Sequence, residues 1–299
     1  MNKKLKLKSM KIIILGCSGL LGNTITKYFL GINDFETYPI IRDSSKIKFF
    51  GKNFYKNFIE IKNVFDLSGF EKKIKPLRAD IIINCLGVTN KFFSKNPNMI
   101  QNFIKINSLF PHQLYQLCSE LNIRLIHFSS DCIFSGKKGS YSEFDIPDPV
   151  DIYGKSKLLG ELDYEKCLTI RKSVIGHEIL SKNGLLEWFI DQKDDVKGFK
   201  KVLFSGLTTL ELSRILEKHI IPMNDLKGII NVTGKSINKY DLLKKIAKFY
   251  KKSIKILPDE SVEIDRSLDG SNFTRLSGYS PKSWDELIIS MHQFNMLGK

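Results

Sequence analysis

The residues best suited to chemistry in this 299-residue chain are Tyr153 and Lys157, which form a Tyr-x-x-x-Lys pair. On a helix, positions i and i+4 share one face, so the phenol and the ammonium can point into the same cleft. A neighbouring cation stabilises phenolate and lowers the pKa of a tyrosine, which helps the phenol to protonate a carbonyl oxygen as a hydride arrives. The pair alone also fits a surface helix with a tyrosine packed on a lysine stem, so its context must decide.

A serine upstream of this pair supplies that context. The apolar run 124–129 predicts a strand, and Ser130 and Asp131 follow at its end. In doubly wound α/β folds, ligands bind at the carboxyl ends of the strands. A serine hydroxyl there can hydrogen-bond a substrate carbonyl or its developing alkoxide. Ser130, Tyr153 and Lys157 are therefore the predicted catalytic residues.

A glycine-rich loop follows the first predicted strand, 11–15, and leads into a predicted helix, 20–30. Glycines allow a tight turn and bring the backbone close to a pyrophosphate, and the helix N-terminus supplies amide donors and partial positive charge. The position between strand and helix favours dinucleotide binding over an ordinary turn. The predicted cofactor residues of this loop are Gly16, Ser18, Gly19, Leu20, Leu21 and Gly22.

Later strand ends are expected to complete the cofactor site. Arg42 follows the second strand, where a guanidinium can bind the 2′-phosphate of NADP, whereas NAD sites commonly carry an acid there. Asp43 beside it weakens this inference, and a solvated loop arginine is the alternative. We therefore expect NADP(H) in preference to NAD(H), with NAD(H) as the alternative. The predicted contacts are Arg42 for the phosphate, Asp66 and Leu67 for the adenine, and Cys85, Leu86 and Gly87 for the ribose and nicotinamide.

The elements that must position these residues alternate between strand and helix up to residue 172, which is typical of a parallel sheet covered on both faces. Predicted strands are 11–15, 37–41, 59–65, 81–85, 124–129 and 168–171, and predicted helices are 20–30 and 100–121, with Pro111 at a break or a fresh start. Beyond residue 172 we predict helices at 185–190, 208–219, 238–250 and 284–291, a strand at 228–232 and a loop at 268–278.

These patterns predict an α/β fold: a Rossmann-type doubly wound parallel sheet with a smaller C-terminal α/β substrate lobe. We expect a basic N-terminal extension at 1–9 and an NAD(P)-binding Rossmann domain with the catalytic residues at 10–172. Residues 173–299 are expected to form mainly the substrate-binding lobe, with interleaving between the two left open.

The formal net charge of +15 could indicate nucleic acid, a membrane surface or an acidic small molecule as a partner. The lysines are scattered along the chain, which favours a solvated surface over a nucleic-acid site. The apolar run 12–15 is too short for a signal peptide or a membrane span. Five cysteines without a CxxC pair or a nearby histidine predict no metal and a reducing compartment. We expect a cytoplasmic protein that binds neither nucleic acid nor membrane.

With these residues assembled, the chain resembles the extended short-chain dehydrogenase/reductases over nearly its full length, and within them the dTDP-4-dehydrorhamnose reductase group. The matching segments are FSSDCIFSG at 128–136, GSY at 139–141, Glu143, PDP at 147–149 and YGKSKLLGE at 153–161. A match of this length is far more specific than either short motif.

The resemblance implies roles for individual residues. Tyr153 is the expected proton donor, Lys157 tunes that phenol and binds the nicotinamide ribose, and Ser130 orients the substrate carbonyl. Asn107 is expected to support the active-site lysine through backbone and water, with a capping or buried asparagine as the alternative. The implied substrate contacts are Val88, Ser130, Asp131, Cys132, Tyr153 and His177, of which His177 could equally be structural. A homodimer is also implied.

The reaction implied is reduction of a nucleotide-activated 4-keto-6-deoxy sugar by NAD(P)H, in deoxysugar or surface-polysaccharide biosynthesis. A dehydratase is disfavoured because Cys132 stands where that group carries a glutamate. An epimerase with tightly bound NAD and a non-catalytic regulatory subunit remain as alternatives. The stretch 198–209 is expected to enter the cleft. The nucleotide sugar carries a pyrophosphate of its own, in addition to that of the cofactor, and binding it requires cationic side chains. The candidates for it are Arg171, Lys172, Lys200, Lys201, Arg266 and Arg275.

Overall fold

A computed structural model describes residues 9–89, 98–179 and 182–297 of the chain, so residues 1–8 of the expected basic extension lie outside it. Its strands are β1 (Met10–Leu15), β2 (Phe35–Ile41), β3 (Ile59–Glu60), β4 (Ile81–Asn84), β5 (Arg124–Phe128), β6 (Cys167–Arg171), β7 (Val174–Ile175), β8 (Val196–Phe204), β9 (Leu207–Thr208), β10 (Gly228–Asn231), β11 (Ile237–Asn238) and β12 (Ile256–Asp265). Its α-helices are α1 (Leu20–Leu30), α2 (Leu67–Ile74), α3 (Asn98–Asn102), α4 (Phe110–Glu120), α5 (Ile152–Leu158), α6 (Leu185–Asp191), α7 (Thr209–Ile215), α8 (Lys239–Phe249), α9 (Ser271–Ser277) and α10 (Trp284–Leu297).

Within the described residues, seven strands form one parallel sheet in the order β10-β6-β5-β4-β1-β2-β3. The strand order reverses on either side of β1, which pairs with both β2 and β4. In an open α/β sheet, such a switch point leaves a crevice at the carboxyl ends of the strands. The prediction of a Rossmann-type doubly wound sheet is confirmed.

The sheet is buried on both faces, which explains its nearly continuous apolar strands. In β1, Ile12 and Ile14 pack into one core cluster, which includes residues of α1, α7, α8 and α10. Ile13 and Leu15 point to the opposite face and pack with residues of α2 and α4. Full burial of each such side chain stabilises the fold by about 1.5–3 kcal/mol.

A second sheet, in the order β11-β8-β12, belongs to the C-terminal half. Neither β8 nor β12 was expected, because β12 contains Pro258 and several acidic residues, and lysines interrupt β8. The two strands run parallel, and charges match across them: Lys197, Lys200 and Lys201 of β8 pair with Asp259, Glu260 and Glu263 of β12. Charge pairs between distant segments therefore stabilise these two strands, which lack the nearly continuous apolar sequence of the strands in the main sheet.

Other predictions need correction. The expected strand 59–65 is limited to Ile59–Glu60, and the expected helix 100–121 is divided into α3, a π-helical segment (Phe103–Leu109) and α4, with Pro111 in the first turn of α4. The expected loop 268–278 contains α9, which buries Phe273 and ends at Gly278 in the left-handed conformation (φ +67°). Strand β10 returns from the second half of the chain to pair with β6.

Among the residues described here, no helix combines the length and apolar character needed to cross a bilayer.

Candidate active site

Helix α5, which carries Tyr153 and Lys157, is fixed at its first turn. The Asp151 carboxylate caps the helix by accepting from the Gly154 amide at 2.7 Å. A side chain at Gly154 would collide with the carbonyl oxygen of Cys132, so only glycine lets the helix lie directly on the loop after β5. The cap and this close packing bring the first turn of α5 to the carboxyl edge of the sheet.

The three predicted catalytic residues meet at that edge. Lys157, only 5% exposed, donates from Nζ to the carbonyl oxygen of Phe128 at 2.6 Å. The Ser130 hydroxyl donates to the Asp131 carboxylate at 3.0 Å and lies near enough to the phenol of Tyr153 to influence its pKa. Tyr153 and Lys157 line a cavity of about 560 Å³. The structure therefore brings an alcohol, a phenol and an amine together beside one cavity.

The electrostatics of this group differ from the sequence expectation. Burial raises the pKa of Tyr153, and the nearby Cys132, Asp131 and Asp151 raise it further, whereas the nearby Ser130 hydroxyl lowers it. Burial also lowers the pKa of Lys157, to about 7. The net pKa of the phenol is thus raised rather than lowered, because loss of hydration is the largest of these effects. The phenol is protonated at neutral pH.

The glycine-rich loop packs against the loop after β4. Gly16 has φ +73°, and a Cβ atom there would lie 2.8 Å from the backbone of Cys85, while one at Gly22 would collide with the carbonyl oxygen of Gly16. Gly19 precedes α1, and no side chain caps this helix end, so the first-turn amides can face an anion. Gly19, Leu20 and Leu21 line the catalytic cavity.

A second cavity, of about 290 Å³, begins on the other side of this loop and is lined by Gly16 and Ser18. Three residues after β4 line both cavities, so the two adjoin along the sheet edge. Together they form the extended, glycine-lined space that a dinucleotide requires. The shared residues are Leu86, Gly87 and Val88, and Cys85 lines the catalytic cavity only.

Arg42 lines the second cavity with Lys46 and Lys62. The Asp43 carboxylate is engaged locally, because it accepts from the amide of Ser45 at 3.0 Å and pairs with Lys46 at 3.8 Å. The second cavity is therefore bordered by three cations and by Asp43, whose carboxylate already has partners.

The predicted adenine contacts are displaced along the chain. Asp66 accepts from the Gly69 amide at 3.1 Å and caps α2, and Leu67 packs into the core; neither lines the cavity. Residues 61–65 form that wall instead. The sequence analysis placed these contacts too late in the chain because β3 ends at Glu60, whereas the predicted strand extended to residue 65.

Asn107 is fully buried and joins two parts of the site. Its side chain accepts from the Val88 amide at 2.9 Å and donates to the Val88 carbonyl at 3.0 Å and to the Ser156 hydroxyl at 3.0 Å. Within the described residues its side chain bonds Val88 and Ser156 rather than Lys157, which it was expected to support. Asn107 instead positions the loop after β4 against α5.

Two predicted substrate contacts are structural. Both ring nitrogens of His177 have partners, Glu187 at 2.6 Å and Tyr250 at 2.8 Å, and His177 does not line the catalytic cavity. Arg171 makes a buried two-point ion pair with Glu161, at 2.9 and 2.7 Å. Each side chain is occupied by an acid from a neighbouring element, which sequence spacing could not reveal.

The remaining basic candidates divide into two groups. Lys172 lines the catalytic cavity and Arg266 contacts Cys132, whereas the other three lie on exposed surfaces. Cys132 lines the cavity, and burial raises the pKa of its thiol to about 12. The sequence analysis did not identify Lys239, because no local motif marks it. Burial lowers the pKa of Lys239, and the charges of Asp131 and Cys132 oppose that shift. The exposed three are Lys200 and Lys201 on β8 and Arg275 on α9. Because β8 and β9 cover most of the stretch 198–209, that stretch is mainly sheet and not the predicted cleft loop.

Comparison with known proteins agrees with this geometry. A probable low-salt glycan biosynthesis reductase of Haloferax volcanii is 37% identical over 101 residues, which are 32% of this chain and 33% of that protein. The β subunit of methionine adenosyltransferase 2 from Danio rerio is 27% identical over 153 residues, 50% of this chain and 42% of that protein. The matched regions span less than half the length of these curated relatives.

A solved dTDP-4-dehydrorhamnose reductase from Bacillus anthracis, in complex with NADP, has the same fold. It superposes with a TM-score of 0.75 at 20% identity, covering 95% of this chain and 99% of that one. The model of the RmlD substrate binding domain family matches residues 10–190. Because that match spans more than half of the sequence, the chain belongs to the RmlD substrate binding domain family, within the extended short-chain dehydrogenase/reductases.

Proposed function

We propose that this protein is an NAD(P)H-dependent reductase of a nucleotide-activated 4-keto-6-deoxy sugar, in deoxysugar or surface-polysaccharide biosynthesis. The observation that carries the proposal is the meeting of Ser130, Tyr153 and Lys157 beside a cavity that adjoins the glycine-rich loop. Family membership and the likeness to the Haloferax reductase support it.

The residues of the chain have separate tasks in this proposal. When bound, the nicotinamide cofactor supplies the hydride. Ser130 donates a hydrogen bond to the substrate carbonyl oxygen, and Tyr153, protonated at neutral pH, delivers its proton there. Lys157, held by the Phe128 carbonyl, stabilises the phenolate that remains. Asn107 keeps the loop after β4 in place against α5.

NADP(H) is the preferred cofactor in this proposal, and NAD(H) is the alternative. Arg42, Lys46 and Lys62 border the cavity beyond the glycine-rich loop. A guanidinium binds a phosphate through paired hydrogen bonds. Asp43, the one acid at this strand end, already accepts from both the amide and the hydroxyl of Ser45. A 2′-phosphate therefore matches this end of the cavity better than a 2′-hydroxyl.

The proposal is tested by incubating the protein with NADPH and a panel of dTDP-, UDP- and GDP-linked 4-keto-6-deoxy sugars while the nicotinamide absorbance is followed. We expect consumption of NADPH with one nucleotide class and at least a hundredfold slower turnover in Tyr153→Phe, since a lost proton donor costs about 10²–10⁴ in rate. Conversion of a sugar without net NADPH consumption would instead indicate an epimerase.

A regulatory subunit without catalysis is the second candidate, and the match to the β subunit of methionine adenosyltransferase 2 favours it. Folds of this kind are reused without chemistry. The discriminating observation is whether Tyr153→Phe abolishes the biological activity of the protein. If that variant folds, binds NADPH and supports full activity in cells, the reductase proposal is wrong.

A further inference from the structure

His177 lies between the helix that begins at the glycine-rich loop and the C-terminal half of the chain. Its carbonyl oxygen accepts from Nδ2 of Asn23, in the first turn of α1, at 3.0 Å. The same Asn23 nitrogen lies 2.9 Å from the carbonyl oxygens of Gly19 and Leu20, both of which line the catalytic cavity. Asn23 is only 3% exposed, and hydrogen bonds are stronger in such a region of low dielectric than in water. A movement of the first turn of α1 therefore reaches His177 through one amide group.

The backbone beside His177 is fixed by close packing. A side chain at Gly176 would collide with the hydroxyl of Thr209, so only glycine lets this segment lie against α7. Thr209 in turn shares a hydrogen bond of 2.9 Å with Thr24 of α1. The segment is thus held between α1 and α7, which gives the His177 ring a fixed origin.

The His177 ring reaches two further elements. Nδ1 lies 2.6 Å from a carboxylate oxygen of Glu187, in the first turn of α6, and Nε2 lies 2.8 Å from the Tyr250 hydroxyl, directly after α8. Burial raises the pKa of Tyr250, so its phenol is protonated at neutral pH and can donate to Nε2. Nδ1 then carries the ring proton and donates to Glu187. Because one ring nitrogen accepts and the other donates, a neutral imidazole makes both contacts at once.

Helix α6 begins at the wall of the catalytic cavity. Residues 183–185 line that cavity, and the helix starts at the last of them. The Gly184 amide donates to the carboxylate of Glu178, the residue after His177, at 2.6 Å. Since the His177 ring also contacts Glu187, two neighbouring residues fix two points of this wall.

We infer that His177 is a positioning residue that joins the cofactor side of the site to the substrate side. Its carbonyl contacts the turn of α1 that faces the cofactor, and its ring holds the turn of α6 that lines the catalytic cavity. Cofactor binding fixes the first turn, because the uncapped amides of α1 gain an anionic partner, and through His177 this order extends to the second. The inference rests on the proposed function for the identity of the two ligands, while the link between α1 and α6 does not.

Hydrogen–deuterium exchange of the purified full chain, with and without saturating NADPH, tests the inference without any sugar substrate. The variants are His177→Leu, which removes both ring contacts, and Tyr250→Phe, which removes only one hydroxyl. His177→Asn keeps a donor near Glu187 and is the conservative replacement. His219→Leu is the matched control, because His219 is also partly buried and hydrogen-bonded, to the carbonyl oxygen of Ser277, but does not line the catalytic cavity.

In the wild type, we expect NADPH to slow exchange in the first turn of α1 and also in α6, the latter about tenfold, which is a typical coupling between two sites. His177→Leu should keep the protection of α1 and lose most of that of α6. Tyr250→Phe and His177→Asn should lose less, and the control should match the wild type.

Kinetics with the 4-keto-6-deoxy sugar nucleotide that the panel identifies give a second readout. His177→Leu should raise KM for that sugar nucleotide about tenfold and leave kcat within about threefold, since loss of binding that is equal in the ground and transition states changes KM alone. A merely structural histidine would lower thermal stability and leave both KM and the response of α6 to NADPH unchanged.

Protection of α6 that persists in full in the folded His177→Leu and Tyr250→Phe variants would overturn the inference. A wild-type protein in which NADPH protects α1 but not α6, or which does not bind NADPH, would overturn it as well. Thermal unfolding of the same samples shows whether each variant is folded, and Tyr250→Phe decides the question if His177→Leu does not fold. If the reductase proposal alone fails, the sugar panel shows no NADPH consumption while exchange in α6 still responds to the His177 variants.

Discussion

Burial holds Tyr153 and Lys157 closer to their uncharged forms than they are in water. The phenol pKa is raised and the amine pKa is lowered to about 7, mainly because both groups lose hydration in the packed edge of the sheet. A neutral phenol is the form that can give a proton to a carbonyl oxygen. The buried amine, in contrast, costs stability whenever it is charged.

Lys157→Met tests that cost through its pH dependence. The folded pKa of Lys157, about 7, lies below its ordinary value of 10.5, so between these pH values the unfolded state binds more protons and wild-type stability rises with pH. Below about pH 7 the full cost is present. The stability advantage of the variant over wild type should therefore shrink as pH rises from 7 to 9.5, by at most about 1.4 kcal/mol per pH unit.

Urea unfolding at several pH values measures this difference, with Lys155→Met, an exposed lysine of the same helix, as the control. A difference between Lys157→Met and wild type that stays constant across the range would contradict the burial argument.

Arg42→Ser tests the assignment of cofactor preference. Removing the guanidinium should raise KM for NADPH about 10- to 100-fold, the value of a charge-assisted contact with phosphate, and should leave KM for NADH within about twofold. Lys48→Ser is the control, because Lys48 is exposed on the following turn and does not line the cavity. Equal effects on NADPH and NADH would show that Arg42 does not contact a 2′-phosphate.

At the scale of elements, the site depends on how α5 packs on the π-helical segment Phe103–Leu109. Ser108 donates to the carbonyl oxygen of Ser156 at 2.9 Å, and Asn107 donates to the hydroxyl of the same residue. A side chain at Gly160 would collide with the carbonyl oxygen of Asn107, so glycine permits this contact. The segment therefore fixes the catalytic helix and, through Val88, the wall shared by both cavities.

Asn107→Ala should disrupt both functions of that segment. It removes three hydrogen bonds and leaves the part-buried amide and carbonyl of Val88 without these partners, while the Ser156 hydroxyl keeps its bond to the Tyr153 carbonyl; we expect the free energy of unfolding to fall by about 1–3 kcal/mol. NADPH binding should weaken as well. Denaturant unfolding and cofactor titration measure the two effects. Asn102→Ala, an exposed asparagine one turn earlier, should change neither; a stable, tightly binding Asn107→Ala would refute the positioning role.

For the whole molecule, the C-terminal half is joined to the first helix through α7. Thr209 and Thr24 of α1 share a hydrogen bond of 2.9 Å between hydroxyls. Glu211, 2% exposed, pairs with Lys282 at 2.9 Å and with Arg214 at 3.3 Å. Residues from α7 and from the segment before α10 thus meet at a single carboxylate, which holds that segment against the main body.

Glu211→Ala should destabilise the fold by about 1–3 kcal/mol, because it leaves two partly exposed cations, Arg214 and Lys282, without their acid. Glu165→Ala removes an exposed pair with Lys227 (2.6 Å) and should cost about 1 kcal/mol or less. Thermal and denaturant unfolding compare the two variants. If both cost the same, Glu211 does not tie the C-terminal half to the rest of the protein.

The parts of the fold that could be predicted from sequence are those specified by neighbouring residues. The glycine-rich loop, the apolar strands of the main sheet and the Tyr-x-x-x-Lys helix each depend on contacts within a few positions or on burial on both faces of a sheet. Strands β8 and β12 could not be predicted, because their stability comes from charge pairs between segments about 60 residues apart along the chain.

The sequence by itself predicted the doubly wound fold and a common site for Ser130, Tyr153 and Lys157, because the alternation of strands and helices and the period of the helix carry that information locally. Only the tertiary structure decided which basic residues face the cavity: it paired Arg171 with Glu161 and His177 with Glu187, and it brought Arg266 to Cys132. The physical reason is that the role of a long polar side chain depends on which partner lies within reach, and those partners come from distant segments.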